Sequence, residues 1–437
     1  MDEFFKISAR GSSVRTEVMA GLTTFLTMAY VVAVNPAMLG KAGVPFTAAL
    51  TATCFGAALM TAVMGLVTNR PVALASGMGL NAVVVFSICL GQGVDWRVAM
   101  ACVLLEGLAI MILVLCGLRE AIMRAIPASL QRAIGIGIGL FIAFIGLKGG
   151  MLIVGNESSL ITMGAITQPE AIIAILSIVL AVGFTVVKIK GGLLWSILIA
   201  TLVGIPFGVT PLPSAWNFGL DFSAFAAPLQ TTPDGMVALV QVIVQPALLL
   251  FVFSMLMSDF FDTMGTVFAV GQKAGFSKEN GDVEDMRQIL IVDSAAAMAG
   301  GFIGASSITC YAESVSGAIA GARTGLSNLV IAGAFVLCAF LSPIIGMISS
   351  SATCGALVVV GYLMMTEIGE IDWHDPALAI PSFLVIVGIP MTYSITDGIG
   401  FGFIFYCFVM LVTGRGRDVK PLMWIASAAF LAAFILV

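Results

Sequence analysis

Charged side chains are scarce in this sequence, because only 10% of its 437 residues are Asp, Glu, Lys or Arg. Soluble proteins carry about 25% of such residues on average. Hydrophobic residues make up 60% of the chain. A chain of this length and composition cannot cover a water-facing surface, so the composition excludes a soluble protein. It predicts a protein that crosses a lipid bilayer many times.

Histidine is nearly absent, and the single one, His374, lies in a short loop beside Trp373 and Asp375. A histidine proton relay inside the membrane is therefore excluded, as is an intramembrane enzyme that needs a histidine base. The eight cysteines fall mostly in apolar segments without CxxC spacing, which favours packing residues and no metal site. No nucleotide-binding fingerprint appears. The sequence therefore argues against an ATP-driven pump, and we expect no cofactor.

Apolar runs of about 20 residues, the length that crosses a bilayer, repeat along the chain. The basic residues test their number, because Lys and Arg favour cytoplasmic loops. With the N-terminus in the cytoplasm, only Lys41, Arg97 and Lys148 of the 19 basic residues fall on the outer side. The final run, 421–437, is left open as a span, an interfacial helix or a helix packed on the bundle. The fourteen predicted spans are 17–38, 46–67, 72–91, 97–117, 129–147, 170–187, 192–208, 240–270, 288–303, 305–322, 327–348, 351–366, 377–391 and 396–413.

The third and tenth spans begin with irregular pieces, 71–81 and 304–313, that are rich in Gly, Ser or Pro and precede half-length helices. Irregular backbone at membrane depth survives only where protein or a water-filled cavity covers it. Interrupted spans in corresponding positions point to the binding site of a transporter. Because these spans are seven apart, the pattern predicts two halves of seven helices with opposite orientation.

The charged residues inside the predicted spans are all acidic, which makes them the candidates for chemistry. A charge at the bilayer centre costs about 2.5–3.5 kcal/mol on insertion scales, so it rarely faces lipid. Asp259 and Asp262, three residues apart, share one face of the eighth helix. We interpret Asp262 as a substrate or proton site and Asp259 as an accessory group. The full set is Glu106, Asp259, Asp262, Asp293, Glu313 and Asp397.

Glu313 opens the half-helix of the tenth span, where free N–H groups and the positive end of the helix dipole lie. It is predicted to bind substrate and to exchange a proton, as is Asp262; a plain helix cap is the alternative. Asp293 is expected to be an accessory partner of the neighbouring spans, and Glu106 and Asp397 structural or gating residues. Four further candidates for substrate binding are Asn81, Thr27, Ala312 and Ser314. Asn81 offers both a donor and an acceptor. The commoner role for Thr27 would be a hydrogen bond within its own helix, and Ala312 and Ser314 flank Glu313.

Five separated motifs resemble the AzgA-type purine permeases of the wider nucleobase–ascorbate transporter group. The resemblance extends over nearly the whole chain. Its motifs are GLTTFLTMAYVVAVNP at 21–36, GMGLN at 77–81, FDTMG at 261–265, VDS at 292–294, and GASSITCYAESVSG at 304–317 with GARTG at 321–325. This chain differs from several related permeases in the extra carboxylate of Asp259 and in Cys310.

The resemblance implies fourteen segments in two inverted repeats, with short antiparallel strands in segments three and ten that cross near the membrane centre. It places a purine between a core and a gate domain and couples import to protons. Asp262, Glu313 and Asn81 match the polar positions of segments eight, ten and three. The implied division is 1–16 as a cytoplasmic N-terminal segment, 17–122 and 236–350 as core, 123–235 as gate with an extracellular linker, 351–413 as gate, and 414–437 as a basic turn with an apolar segment.

We therefore expect an all-α polytopic protein of the inner or plasma membrane, not an enzyme, that imports purines with protons by elevator-like movement. Adenine, guanine and hypoxanthine are alternative substrates, and uracil or xanthine a more distant one. The expected partners are a purine, a proton in preference to sodium, and the lipid bilayer; nucleic acid is not among them, and a homodimer stays open. A rival anion carrier would need a basic residue near the two breaks, where the sequence has none, and a channel would conduct without saturation.

Overall fold

The computed structural model describes residues 2–117, 126–156, 158–213, 216, 218–277 and 283–436. Within these ranges, nine helices are long and apolar enough to cross a membrane, and five shorter apolar helices accompany them. The predicted boundary between 122 and 123 and the basic residues Arg119, Arg124 and Lys278 lie outside the described residues.

The helices of the first half follow the predicted spans, but the first span is divided in two at Ala29 and Tyr30. Polar residues fix several helix starts: Ser13 accepts a hydrogen bond from the Thr16 N–H, as an N-cap residue does. The elements are α1 (Asp2–Phe5), α2 (Val14–Met28), α3 (Val31–Lys41), α4 (Phe46–Thr68), β1 (Leu74–Ser76), α5 (Met78–Ala82) continued by the π-helix Val83–Gly91, α6 (Trp96–Leu115), α7 (Ala128–Gly149), β2 (Ile153–Asn156), β3 (Leu160–Met163), α8 (Pro169–Val186) and α9 (Gly192–Gly204).

In the second half, the predicted span 240–270 begins as two helices, because Pro246 starts a new helix and holds Gln245 in an extended conformation. The final apolar run forms a helix that packs on the bundle, where Phe430 is fully buried against Phe403. The elements are α10 (Ala238–Val244), α11 (Pro246–Ala274), α12 (Met286–Ile303), β4 (Ile308–Cys310), α13 (Ser314–Ile319), α14 (Leu326–Ala339), α15 (Ser342–Ile345), α16 (Ser350–Met364), α17 (Pro376–Thr392), α18 (Ile395–Val412) and α19 (Pro421–Leu436).

Strands β1 and β4 form an antiparallel pair of three residues each, and all six residues are buried. A two-stranded pair has two open edges, whose polar groups must be satisfied away from water. On one edge, the Thr61 hydroxyl accepts from the Leu74 N–H and donates to the Leu74 carbonyl. On the other, the Asp293 carboxylate accepts from the Cys310 N–H at 3.0 Å. Side chains thus replace the missing neighbouring strands.

The helices sort into two packing groups. In the strand-bearing group, α4 packs on α14, α6 packs on α12 and α11, and β4 lies against α12. In the second group, which includes the β2–β3 pair beside α7, α7 packs on α16 and α17, while α8 lies against α9 and α16. The strand pair and the residues that follow it therefore belong to one tightly packed unit.

Helices α4 and α14 approach so closely that two glycines, Gly65 and Gly325, face each other backbone to backbone. A Cβ at position 325 would overlap the Gly65 carbonyl oxygen. We expect Gly325→Ala to cost about 1–3 kcal/mol, as overpacking does, and to lower the melting temperature of the purified protein in detergent by several degrees. The matched control is Gly333→Ala in the same helix, where an added Cβ meets nothing within 4 Å. Equal melting temperatures for both variants would contradict the close approach.

Candidate functional site

Asp262 lies just beyond the middle of α11 and has many protein atoms around it, yet its side chain remains accessible to solvent. An accessible carboxylate on a helix of the bundle can meet a ligand. Asp259, one turn earlier on the same helix, is fully buried. The structure therefore separates the two carboxylates that the sequence places on one helix face, and only Asp262 can meet a ligand directly.

Glu313 stands between β4 and the short helix α13, and its side chain is partly accessible. Its Oε1 accepts a hydrogen bond from the Tyr30 hydroxyl at 2.8 Å, and its side chain does not cap α13. The neighbouring Ala312 is accessible as well. Asp262 and Glu313 are close enough to interact electrostatically. These three predicted residues are therefore all accessible, and the two carboxylates act on each other.

Asn81 is fully buried, and its side-chain amide donates to Asn35 Oδ1 at 2.6 Å. Asn35 in turn donates to the Thr53 hydroxyl and to the Ala305 carbonyl. Asn81 thus ties the break in span three to α3 and to the segment that enters β4. Its own Oδ1 has no hydrogen-bond partner in the part of the chain that the structure describes.

Two of the remaining candidates have their hydroxyl groups engaged by the protein. Ser314 is buried and accepts from the Ala73 N–H at 2.9 Å, which links α13 to the start of β1. Thr27 donates to the Thr24 carbonyl within its own helix and lies 2.9 Å from the Ser316 hydroxyl. Both residues hold α13 in position, and neither hydroxyl is available in this arrangement without a change of partner.

Tyr30 is the site residue that the sequence did not single out. The break between α2 and α3 places it where its hydroxyl reaches Glu313. The signal in the sequence was a tyrosine inside an apolar run, but a lone aromatic residue there is more often a core residue. A second tyrosine, Tyr311, donates to the Ser76 carbonyl at 2.9 Å and so fixes β1 to the end of β4.

The charge of the site is uniformly negative. The groups that act on Asp262 are the carboxylates of Glu313, Asp293 and Glu367. Carboxylates accept hydrogen bonds and repel anions. The arrangement therefore suits a neutral ligand with N–H donors or a cation, and it disfavours an anion.

The described residues include no group of three or more His, Cys, Asp or Glu side chains arranged to hold a metal ion. Asp293 accepts from the hydroxyls of Thr263 and Thr309 and from the Cys310 N–H, so it holds β4 against α11 and α12. Asp397 lies in the first turn of α18 and is not among the groups that act on Asp262.

Comparison with known proteins gives a family match and full-length relatives. The sequence matches the Permease family over residues 15–436. It is 37% identical to the adenine permease AdeP of Escherichia coli over 100% of this chain and 96% of that protein. It is also 37% identical to the guanine/hypoxanthine permease PbuG of Bacillus subtilis, over 100% and 99%. The resemblance expected from the five sequence motifs is thereby confirmed.

Solved structures share the fold at low sequence identity. The transmembrane domain of the cyanobacterial bicarbonate transporter BicA superposes with a TM-score of 0.66 and 15% identity, over 87% of this chain and 96% of that domain. Murine Slc26a9, an anion transporter captured in the inward-facing state, gives a TM-score of 0.64 over 92% of this chain and 69% of that one. At this level of identity, the likeness concerns the fold alone.

Proposed function

The chain belongs to the Permease family, a family of transporters and not of enzymes, and from that premise we propose that it imports purine nucleobases by secondary transport coupled to protons. The observation that carries the proposal is the accessible pair Asp262 and Glu313. Full-length relatives named as adenine and guanine/hypoxanthine permeases support the substrate class. Several apolar helices of spanning length support a multi-pass membrane protein.

A purine fits the chemistry of the pair. Its edge presents adjacent N–H donors and ring-nitrogen acceptors, and two carboxylates can take the N–H groups. Such charge-assisted hydrogen bonds contribute about 1.5–3 kcal/mol each. An analogue without the matching N–H leaves a carboxylate unpaired, so this kind of site rejects it. In the proposed complex, Tyr30 holds the Glu313 carboxylate in the orientation that receives the base.

Proton coupling follows from the same charges. Two carboxylates at membrane depth without a basic partner are costly to move across the bilayer. A proton on Asp262 or Glu313 offsets one negative charge, so that the loaded site can move. This gives the carboxylates two roles in the proposal, base binding and proton carriage.

For the movement, we propose an elevator-like step of the strand-bearing group, which holds β1 and β4, against the second group. The packing of α4 on α14 and of α7 on α16 supports two separate units, which would correspond to the core and gate predicted from the sequence. The antiparallel pairing of β1 with β4 and the fold shared with BicA support two inverted repeats of seven segments. We also propose that the protein lies in the cell membrane and that its N-terminus faces the cytoplasm.

An anion carrier is the second candidate, because the solved structures with this fold include a bicarbonate transporter. The acidic surroundings of Asp262 argue against it.

A direct experiment distinguishes the purine carrier from the anion carrier. Uptake of labelled adenine, guanine and hypoxanthine is measured in cells without their own purine permeases, with unlabelled purines, uracil, xanthine and bicarbonate as competitors and with a protonophore. We expect saturable purine uptake that the protonophore abolishes. Uptake that no purine competes with would refute the proposal.

Tyr30→Phe removes the hydroxyl that donates to Glu313 and leaves the ring in place. We expect a KM about 10-fold higher for the preferred purine, in line with the loss of a hydrogen bond to a charged group, and an unchanged melting temperature. The control is Tyr311→Phe, whose lost hydroxyl bonds a strand carbonyl and should lower the melting temperature instead. An unchanged KM for Tyr30→Phe would show that Tyr30 does not orient the binding carboxylate.

A further inference from the structure

We infer that Glu106 and Asp259 form a separate proton site behind the base-binding site and share the proton that drives transport. This inference rests on the proposed proton coupling and deepens it. It moves the coupling proton from Asp262 and Glu313 to a buried carboxyl pair, and it leaves base binding as the role of those two residues. Glu106 lies on α6 and Asp259 on α11, two helices that pack on each other, and Ser307 links Glu106 to the start of β4.

Both side chains are completely buried. Glu106 lies within reach of Asp259, and its Oε2 accepts from the Ser307 hydroxyl at 3.3 Å. Glu106 Oε1 and both oxygens of Asp259 meet no donor among the described residues. The nearby Thr309 hydroxyl is engaged by Thr263 and Asp293. Two neighbouring carboxylates can only accept hydrogen bonds. A proton on one of them would supply the missing donor and join the two groups.

Among the residues that the structure describes, none near the pair supplies a positive charge that could replace this proton. The titratable groups that face the pair are Asp293 from α12, Cys310 from β4 and Asp262, one turn along α11. None of them is basic, and the ion pairs formed among the described residues do not include Glu106 or Asp259. Breaking up a buried pair so that an uncompensated charge remains costs about 3–5 kcal/mol. Two uncompensated charges in the same dry place cost more, so at least one carboxyl keeps its proton.

Asp293 is a less suitable proton carrier than the pair. It accepts from two hydroxyls and one backbone N–H, and such donors stabilise the charged carboxylate. An Asp293 that stays charged next to Asp259 adds a permanent negative charge, which favours a proton on the neighbouring pair. The three acids therefore divide into a fixed anion and a pair that carries the proton.

The pair is connected to the base-binding site through β4. Ser307, which donates to Glu106, lies immediately before the strand, and Glu313 lies three residues after its end. Asp259 and Asp262 are likewise one helical turn apart on α11. A change in charge at the pair is thus transmitted to both base-binding carboxylates by short, rigid segments. This arrangement allows the proton and the base to bind at different places and still affect each other.

The test uses the purified protein in liposomes and compares Asp259→Asn and Glu106→Gln with wild type. Exchange of labelled for unlabelled purine without a gradient reports base binding and movement. Accumulation driven by an inward pH gradient reports coupling. We expect exchange within about twofold of wild type and accumulation reduced at least 10-fold in both variants. The matched control is Glu17→Gln, another fully buried glutamate with one unpartnered oxygen, at the cytoplasmic end of α2; it should accumulate purine as wild type does.

Each other outcome is decisive. Wild-type accumulation in Asp259→Asn and Glu106→Gln, with an unchanged pH dependence, overturns the inference and leaves the proposed function intact. Wild type that responds to neither a pH nor a sodium gradient overturns the proposed coupling itself. Accumulation driven by sodium, with choline as the replacement ion, overturns both the proposed proton coupling and the proton site.

A milder variant covers the case in which the amide variants do not fold. Ser307→Ala keeps both carboxyl groups and removes the donor to Glu106. Without that donor the charged form of Glu106 is less stable, so the pair holds its proton to a higher pH. We expect the alkaline limb of the pH profile of uptake to move to higher pH. A profile that stays in place contradicts the inference.

Discussion

Replacing Asp262 with Asn is expected to reduce kcat/KM for purine uptake by about 100-fold. The carboxylate is the accessible acceptor on α11, and an amide presents one acceptor and one NH2 group in its place. A charge-assisted hydrogen bond contributes about 1.5–3 kcal/mol, and a donor of the base that faces the new NH2 group is left unpaired. The loss should be nearly independent of pH if Asp262 acts in binding, because asparagine does not titrate.

The measurement is initial-rate uptake of labelled hypoxanthine and adenine, scaled to the amount of protein in the membrane. Asp397→Asn is the matched control, since Asp397 is another partly accessible acid within the helices but lies on α18 and is not among the groups that act on Asp262. It should transport within about twofold of wild type. Uptake by Asp262→Asn at the level of this control would remove Asp262 from the site.

Glu313→Gln separates the binding role of that residue from its charge. Glutamine keeps an oxygen for the Tyr30 hydroxyl, so the orientation of the side chain is retained while one acceptor for the base is lost. We expect a loss similar in size to that of Asp262→Asn with each purine. A variant that retains uptake of one purine and loses another would show that Glu313 selects between substrates.

The sequence indicated irregular, covered backbone at 71–81 and 304–313, and the family resemblance implied short antiparallel strands there. The strands Leu74–Ser76 and Ile308–Cys310 lie within these pieces. It also identified the acids, since a carboxylate in an apolar run stands out. What it could not show is which way each carboxylate faces. Asp259 and Asp262 have the same helical periodicity, and only the packing of α6 against α11 distinguishes the buried acid from the accessible one.

For the same reason, contacts between side chains far apart in the chain could not be predicted from the sequence. Asn81 meets Asn35 across 46 residues, and Tyr30 meets Glu313 across 283. No local pattern encodes such pairs. The exposed hairpin of β2 and β3, from Ile153 to Met163, was missed because its hydrophobic residues do not alternate between a buried and a polar face.

The largest loss of stability is expected from Asp293→Ala. This carboxylate accepts from Thr263 on α11, from Thr309 on β4 and from the Cys310 N–H. Alanine leaves these donors in a dry interior, where an unsatisfied group costs about 1–3 kcal/mol. The open edge of β4 then has no partner at membrane depth, and the strand pair and the Glu313 that follows it lose their fixed position.

We expect the melting temperature of Asp293→Ala in detergent to fall by about 10 °C or more and purine uptake to disappear with it. Asp293→Asn should lie between this variant and wild type, because its single oxygen can still accept from the Cys310 N–H. Asp234→Ala, in an exposed loop, is the control and should melt as wild type does. If Asp293→Ala melts normally but loses only pH-driven accumulation, Asp293 carries a proton instead of holding β4. That result would assign the coupling proton to Asp293 on α12 instead of the Glu106–Asp259 pair. If Asp293 is not needed to hold β4, no structural role requires its carboxylate to stay charged.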